Sequence, residues 1–473
     1  MKYEPTIGLE IHAHLKTRTK MFCSCPNSFD ENHPNTNVCP ICLGHPGTLP
    51  TINQEAVLAV VKLGLALRGT IADQTHFDRK SYFYPDLPKG YQISQYEHPL
   101  VEGGVLNGVH IRRIHLEEDA GRLIHETNNK KQATSLVDFN RAGTPLIELV
   151  TEPDIKTAEE AVKFAKELQL ILRCLEVSDA NMEKGQMRVE ANISLNMGVK
   201  VEVKNINSFK AVHDAIEYEL KRQEELLEGG KKVVQETMGW DEAKKITESQ
   251  RTKESAHDYR YFPEPDLPPL DLKDWDFEDM RRHLPELPSA KRERFAKEYG
   301  LDPQKIEILV EDKDLAEYFE ETASELKSKL PTTDYQLLTN YLLSDLKGLM
   351  QQKEISFGDL KINPEEFAHL ITLTSEGKLS SRLAKDLMLK MLDSGEDPET
   401  IMKSESINLI DNVEELAKII REIIGKNPRA VTDYKKGKSE ALQFLLGQVM
   451  AKTKGQADPE IAQKILAEDL KNF

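Results

Sequence analysis

Residues 6–16, TIGLEIHAHLK, alternate without a break. Ile7, Leu9, Ile11, Ala13 and Leu15 fall on one side, and Gly8, Glu10, His12, His14 and Lys16 on the other. A period of two marks a β-strand with one face in a core. The chain must therefore build a sheet whose second face carries acids and imidazoles. The pattern returns at residues 187–207, MRVEANISLNMGVKVEVKNIN. Met187, Val189, Ala191, Ile193 and Leu195 point inward, and after Gly198 so do Val199, Val201 and Val203, which predicts a hairpin. Its polar face holds Arg188, Glu190, Asn192, Lys200, Glu202 and Lys204.

Between these strands, Thr157 with Glu160 predicts a capping box ahead of Val162, Ala165, Leu168, Leu172 and Leu175 at helical spacing. A second helix is expected from about Phe209 to Glu228, stopped by Gly229 and Gly230. Alternating strands interspersed with helices favour an α+β fold with an antiparallel sheet over a doubly wound one. FPEPDLPPLDL (262–272) is too proline-rich for regular structure. Beyond it SRLAKDLMLKML and SEALQFLLGQVMAK have helical spacing, and the rest of the chain reads as all-α. The expected division is a sheet-bearing domain over 1–292, a helical linker domain over 293–328 and a helical tail domain over 329–473.

Residues 21–50 hold Cys23, Cys25, Cys39 and Cys42, four of the five cysteines, while Cys174 stands alone. A chain of 473 residues can bury a large core without disulfide staples. C-x-C and C-x-x-C across a Pro/Asn-rich loop supply four thiolates to one tetrahedral point, as structural Zn²⁺ requires. Reduced structural thiols and a redox pair are the alternatives. With all four ligands from protein no coordination position stays open, so such a zinc braces the loop and the chemistry lies elsewhere.

No stretch approaches eighteen apolar residues and no signal peptide is evident, so a cytoplasmic protein without a membrane partner is expected. A formal net charge of −17 argues against nonspecific coating of nucleic acid, and no DNA partner is expected. Local basic patches remain open: Arg429, Lys435, Lys436, Lys438, Lys452 and Lys454 cluster near the C-terminus, as a solvated helix face or an RNA contact.

There is no P-loop, since Thr432 stands where KGKSE would need its first glycine, and no G-x-S-x-G nucleophile for amide hydrolysis. Glu10, His12 and His14 on one strand, Glu117, Glu118 and Asp119 in RIHLEEDAGR and Glu190 on the hairpin are either solvated sheet residues or ligands. Carboxylates with an imidazole suit Mg²⁺ or Mn²⁺ carrying phosphates. In residues 77–99 Arg79, Lys80 and Lys89 flank Tyr82, Phe83 and Tyr84. These cations could clamp a triphosphate with the rings walling a base, or the segment could be a packing loop with snorkelling lysines.

LVDFNRAGTPLIELVTEPD (136–154), with IGLEIHAHL, DRKSYFYPDLPKGYQISQ, HLEEDAGR, NINSFKAV, DYRYFPEPDLPPL and KGKSEALQFLLGQVMAKTKGQADP, resembles the GatB/GatE family nearly end to end. These are the B subunits of aspartyl/glutamyl-tRNA(Asn/Gln) amidotransferases. The resemblance implies a catalytic cradle similar to that of glutamine synthetase. It also implies amidation of Glu-tRNA(Gln) or Asp-tRNA(Asn): ATP phosphorylates the side-chain carboxylate, and ammonia from a GatA-type glutaminase, held with a small GatC-type subunit, displaces phosphate. Carried over, it implies Mg²⁺ on Glu10, His12, Glu118 and Glu190, the last being aspartate in some relatives, with Glu10, His12, Glu118 and Lys89 catalytic. It implies nucleotide contacts from Arg79, Lys80, Lys89, Tyr91 and Ser94, structural zinc on the four cysteines, and a tRNA-binding tail. A zinc-bearing RNA adaptor would need no acid cradle, and a stand-alone small-molecule ligase would need no tail.

Overall fold

The computed structural model describes residues 3–28, 33–127, 133–252, 259–329, 335–405, 413–453, 457 and 459–472. The chain divides into two compact units, Met1–Pro288 and Ser289–Phe473. In the first, the elements that position the site are β1 (Pro5–His14), α1 (Gln54–Ala66), β2 (Asp78–Ser81), β3 (Tyr91–Ser94), β4 (Val109–Glu118) and β5 (Pro145–Thr151). They continue with α2 (Ala158–Cys174), β6 (Met187–Leu195), β7 (Val201–Ile206), α3 (Phe209–Glu228), β8 (Glu236–Asp241) and β9 (Ile246–Thr252).

The main sheet runs β9-β8-β7-β6-β1-β5-β4 and continues into two short strands. β1 lies at its centre, antiparallel to β5 on one side and β6 on the other. The antiparallel expectation holds along this path except between β7 and β8, which are parallel. Parallel neighbours need a crossover, and α3 supplies it. Ile7, Leu9, Ile11, Ala13 and Leu15 are all buried, in one core with Val57 and Val60 of α1, Phe164 and Leu168 of α2, and Val212 and Ile216 of α3. Each large aliphatic buried there contributes about 1.5–3 kcal/mol relative to exposure. The opposite sheet face is thereby left to Glu10 and His12.

The helix starts follow the chain chemistry. Thr157 accepts the Glu160 amide at 3.1 Å, but the Glu160 carboxylate takes the Lys156 amide at 2.8 Å, one residue before the cap, so the box closes one residue early. Ser208 caps α3 by accepting the Ala211 amide at 3.0 Å. The hairpin forms, with one correction: Val199 is 47% exposed. Asn196 and Met197 both take left-handed backbone (φ 53°), so the turn lasts until β7 starts at Val201. The proline-rich 262–272 segment is also more regular than expected. Phe262–Pro263 pairs with β2, Phe262 opposite Arg79, and Leu270–Asp271 pairs with Gln74–Thr75. Proline tolerates such edge positions because no ladder needs its missing N–H.

The second unit is helical throughout its described residues, with the two expected helices at Ser381–Ser394 and Ser439–Lys452. It holds one core built on Phe295, Phe319, Phe367 and Met388 and another on Leu416, Ile420, Leu445 and Leu466. Among the described residues no helix is long and apolar enough to cross a membrane.

Candidate active site and thiolate cluster

Strand register assembles the site. Across the sheet, Arg188, His12, Glu148 and His115 form one row, each opposite the next. Glu10 lies directly opposite Glu190. His12 Nε2 stands 3.5 Å from Glu148 Oε2, 3.6 Å from Glu117 Oε1 and 3.9 Å from Glu10 Oε1. His115 Nε2 is 3.3 Å from the same Glu148 oxygen. Donor atoms gather within 4.8 Å of one another in three overlapping sets: Glu10, His12 and Glu148; His115, Glu117 and Glu148; Glu10, Glu190 and Glu202. Lys204 stands 2.7 Å from Glu190 and 3.4 Å from Glu202.

This crowding shifts the ionisations. Burial, then the neighbouring Glu148 charge, pushes Glu10 up to about 7. Burial opposes charge on His12, yet the hydrogen bond and charge of Glu148, aided by Glu117 and Glu10, raise it to about 9. Glu148 goes the other way: burial disfavours its charge, but His115 and His12 hold it well below the usual range. Lys80 and Lys204 both stay charged despite burial, Lys80 through Glu117 and Lys204 through Glu190 and Glu202. Five carboxylates share one face. A group of oxygens and imidazole nitrogens so placed fits a hard divalent cation such as Mg²⁺ or Mn²⁺.

The structure separates residues expected together. Glu118 pairs with Pro145, one place off the Glu117–Leu146 pair, so alternation turns it away from His12. Its carboxylate instead bonds Lys89 and accepts the Ile93 amide at 2.9 Å. Lys89 is engaged by that pair and lies near the Phe22 and Tyr91 rings. Arg79 is held by buried Glu264 through bonds of 2.6 and 2.8 Å, with its guanidinium 4.3 Å from the Tyr91 ring centroid. Arg79 and Tyr91 are therefore occupied with a carboxylate and with each other, not free to face the cluster. Lys80, the next residue on β2, takes the other side. Ser94 joins it there, donating to Glu117 at 3.2 Å. Glu148 and His115, not named among the expected site residues, join His12 in this cluster, and of the two neighbouring glutamates it is Glu117 that stands beside His12.

The four cysteines come together. Sγ separations are 3.7 Å for Cys39–Cys42 and 4.0 Å for Cys25–Cys42, and all four fall within 4.8 Å of one another. Tetrahedral bonds of ~2.3 Å from one zinc place sulfurs ~3.8 Å apart, so the set fits. Without a cation the thiols compete. The Cys23 thiol, the Cys39 amide and Lys20 hold Cys42 down to about 5, while its Cys42 bond and burial push Cys23 far up. Lys20 itself is fully buried, donating to the Asn37 carbonyl at 2.7 Å. The loop also touches Lys89: a Cβ on Gly44, which has φ +66°, would come within 2.5 Å of Lys89 Cγ.

In the tail, Arg429, Lys435, Lys436, Lys438 and Lys452 are exposed. Lys438 pairs with Asp433 at 3.0 Å and Lys452 with Glu422 at 2.5 Å. Lys454 lies outside the described residues.

An α+β unit that gathers acids and imidazoles on one sheet face, beside a half-buried lysine, has the make-up of an enzyme's catalytic domain. The chain belongs to the GatB/GatE family. The family's catalytic domain matches residues 5–278, and a second GatB domain matches residues 317–470. The B subunit of the aspartyl/glutamyl-tRNA(Asn/Gln) amidotransferase of Thermoanaerobacter pseudethanolicus is 47% identical over 99% of this chain and 100% of its own length. The B subunits of Thermotoga maritima (45%, 98% of each chain) and Rippkaea orientalis (41%, 99% and 98%) are also similar.

Proposed function

We propose that this chain is the amidating component of a tRNA-dependent amidotransferase, converting Glu-tRNA(Gln), Asp-tRNA(Asn) or both to the amides. The reading includes ATP and Mg²⁺ as cofactors, a GatA-type glutaminase and a small GatC-type subunit as partners, and a cytoplasmic setting. The observation that carries it is the cluster of half-buried Glu10 and His12 with buried Glu117 and Glu148, flanked by Glu190 and Glu202. Those carboxylates would hold the divalent cation, which when bound neutralises charge on transferring phosphate oxygens. His12 Nε2 and the Lys80 ammonium face the same carboxylates and can donate to an anionic oxygen brought among them. Ser94 and His115 orient Glu117 and Glu148. Glu118 and Lys89 support this face from their own ion pair. Zinc on the four cysteines braces the 21–50 loop, and the exposed lysines of the tail contact tRNA.

The test is reconstitution with GatA-type and GatC-type subunits, ATP and each misacylated tRNA, with ammonium supplied directly. Amide on the recovered tRNA is the expected product. A folded complex that cleaves no ATP and forms no amide on either tRNA overturns the reading.

A further inference from the structure

Five rings form one continuous row at the edge of the acid cluster. Tyr84 stacks on Tyr82 with centroids 5.0 Å apart, Tyr82 meets Tyr259 edge-on at 6.1 Å, and Tyr259 meets Tyr261 at 6.1 Å. Tyr261 then stacks on Tyr96 at 4.3 Å, the planes within 11°. The row reaches solvent at both ends, where Tyr84 is 52% and Tyr96 47% exposed, with Tyr82, Tyr259 and Tyr261 half-buried between them. Packing does not require such exposure of large rings, and a patch of this kind marks a binding surface. Cations interleave with the rings. Lys80 Nζ lies 5.1 Å from the Tyr259 centroid, and the Arg113 guanidinium lies 5.7 Å from that of Tyr96. Arg113 also stands 3.7 Å from Glu148, so one end of the row abuts the acid cluster itself.

We propose that this row is the stacking platform for the unpaired 3′ end of the tRNA. The inference rests on the function proposed above and names which part of that site receives the RNA. Successive rings with cations between them match a single strand, whose bases stack and whose phosphates seek positive charge. One nucleotide base would occupy a ring or two and would be enclosed rather than laid along an open row. Position agrees with chemistry. The amino acid is esterified to the terminal nucleotide, so its carboxyl reaches Glu148 and His12 only if that nucleotide lies beside them, where Tyr96 and Tyr261 stand.

The test uses the full three-subunit complex and tRNA carrying 2-aminopurine in place of its terminal adenine. Binding to the unaltered complex should quench the fluorophore. Tyr96→Ala and Tyr84→Ala change the exposed rings at the two ends of the row, and thermal melting confirms that both variants fold. Each should weaken tRNA about tenfold, Tyr96→Ala should also reduce the quench because it removes the ring under the terminal base, Tyr96→Trp should restore both, and the KM for ATP should stay unchanged. A tRNA lacking its unpaired 3′ nucleotides should bind the variants and the unaltered complex alike. Quench and affinity unchanged in both alanine variants overturn the platform, as does a rise confined to the KM for ATP, which assigns the rings to the nucleotide base. Quenching without amidation in the unaltered complex leaves the platform standing and removes the proposed reaction instead.

Discussion

The thiolate cluster and the acid cluster lie in the same unit, built by opposite means. Cys23, Cys25, Cys39 and Cys42 come from one local loop, and their soft ligands close around a point with no place for substrate. Glu10, His12, Glu117, Glu148, Glu190 and Glu202 come from five strands spread over 193 residues, and their hard oxygens leave room beside them. A local cluster lends stability to the segment that carries it. A cluster assembled by register spends stability on like charges brought together, and such a cost is tolerated where chemistry needs it.

Exchanging ligands should separate the two roles. The largest effect is expected from Glu148→Gln, which removes the charge shared by His12 and His115. Ammonium-dependent amidation by the complex should fall about a thousand-fold or more with the melting temperature nearly kept, and a loss below tenfold would put Glu148 outside the chemistry. Cys39→Ser with Cys42→Ser should do the reverse. The chain should release one equivalent of zinc and lose several kcal/mol of stability, while the folded fraction keeps turnover within about tenfold. Gly44 against Lys89 is the route by which any remaining loss would travel.

Asp119 tests the support between the clusters. It is buried against His14 (2.7 Å), Arg188 (2.6 Å) and Arg141 (3.2 Å), and although burial opposes its charge, the Arg188 charge, the His14 hydrogen bond and the Arg141 charge hold its carboxyl far below the usual range. A depressed carboxyl contributes stability above its unfolded value of ~3.9 and loses it as pH falls towards the folded value. Asp119→Asn should therefore cost about 3–5 kcal/mol at pH 7, and urea titrations should show the gap to the unaltered chain narrowing below pH 4. The smallest effect belongs to the tail: neutralising Lys435, Lys436 and Lys438 should lower the slope of log affinity for tRNA against log salt by about 0.7–0.9 for each phosphate that is no longer neutralised. An unchanged slope would take these lysines off the RNA.

The same contrast explains what could be read in advance. The cysteine spacing is local, so the cluster was legible. The alternation of residues 6–16 gave the face of Glu10 and His12 for the same reason. Glu148 was not legible, because PLIELV reads as an apolar run and only its place opposite His12 gives its carboxylate a purpose. Glu117 and Glu118 are neighbours on one strand, and choosing between them needs the register with β5, which no spacing within RIHLEEDAGR contains. Arg79 and Lys80 divided likewise, by alternation on a strand hidden within a proline-rich, aromatic segment.

The central place of β1 has a consequence for how the molecule is made. Its partners are residues 145–151 and 187–195, so a strand made before both of its neighbours belongs in the middle of the sheet. At ~5–20 residues per second, roughly ten to forty seconds separate the synthesis of His14 from that of Leu195. Until Thr151 is made β1 has neither neighbour to pair with, and until Leu195 is made it has one side unpaired. Nascent chains should therefore depend on a chaperone that shields this segment until β6 has emerged, and arrest of translation before residue 195 should leave β1 accessible to protease.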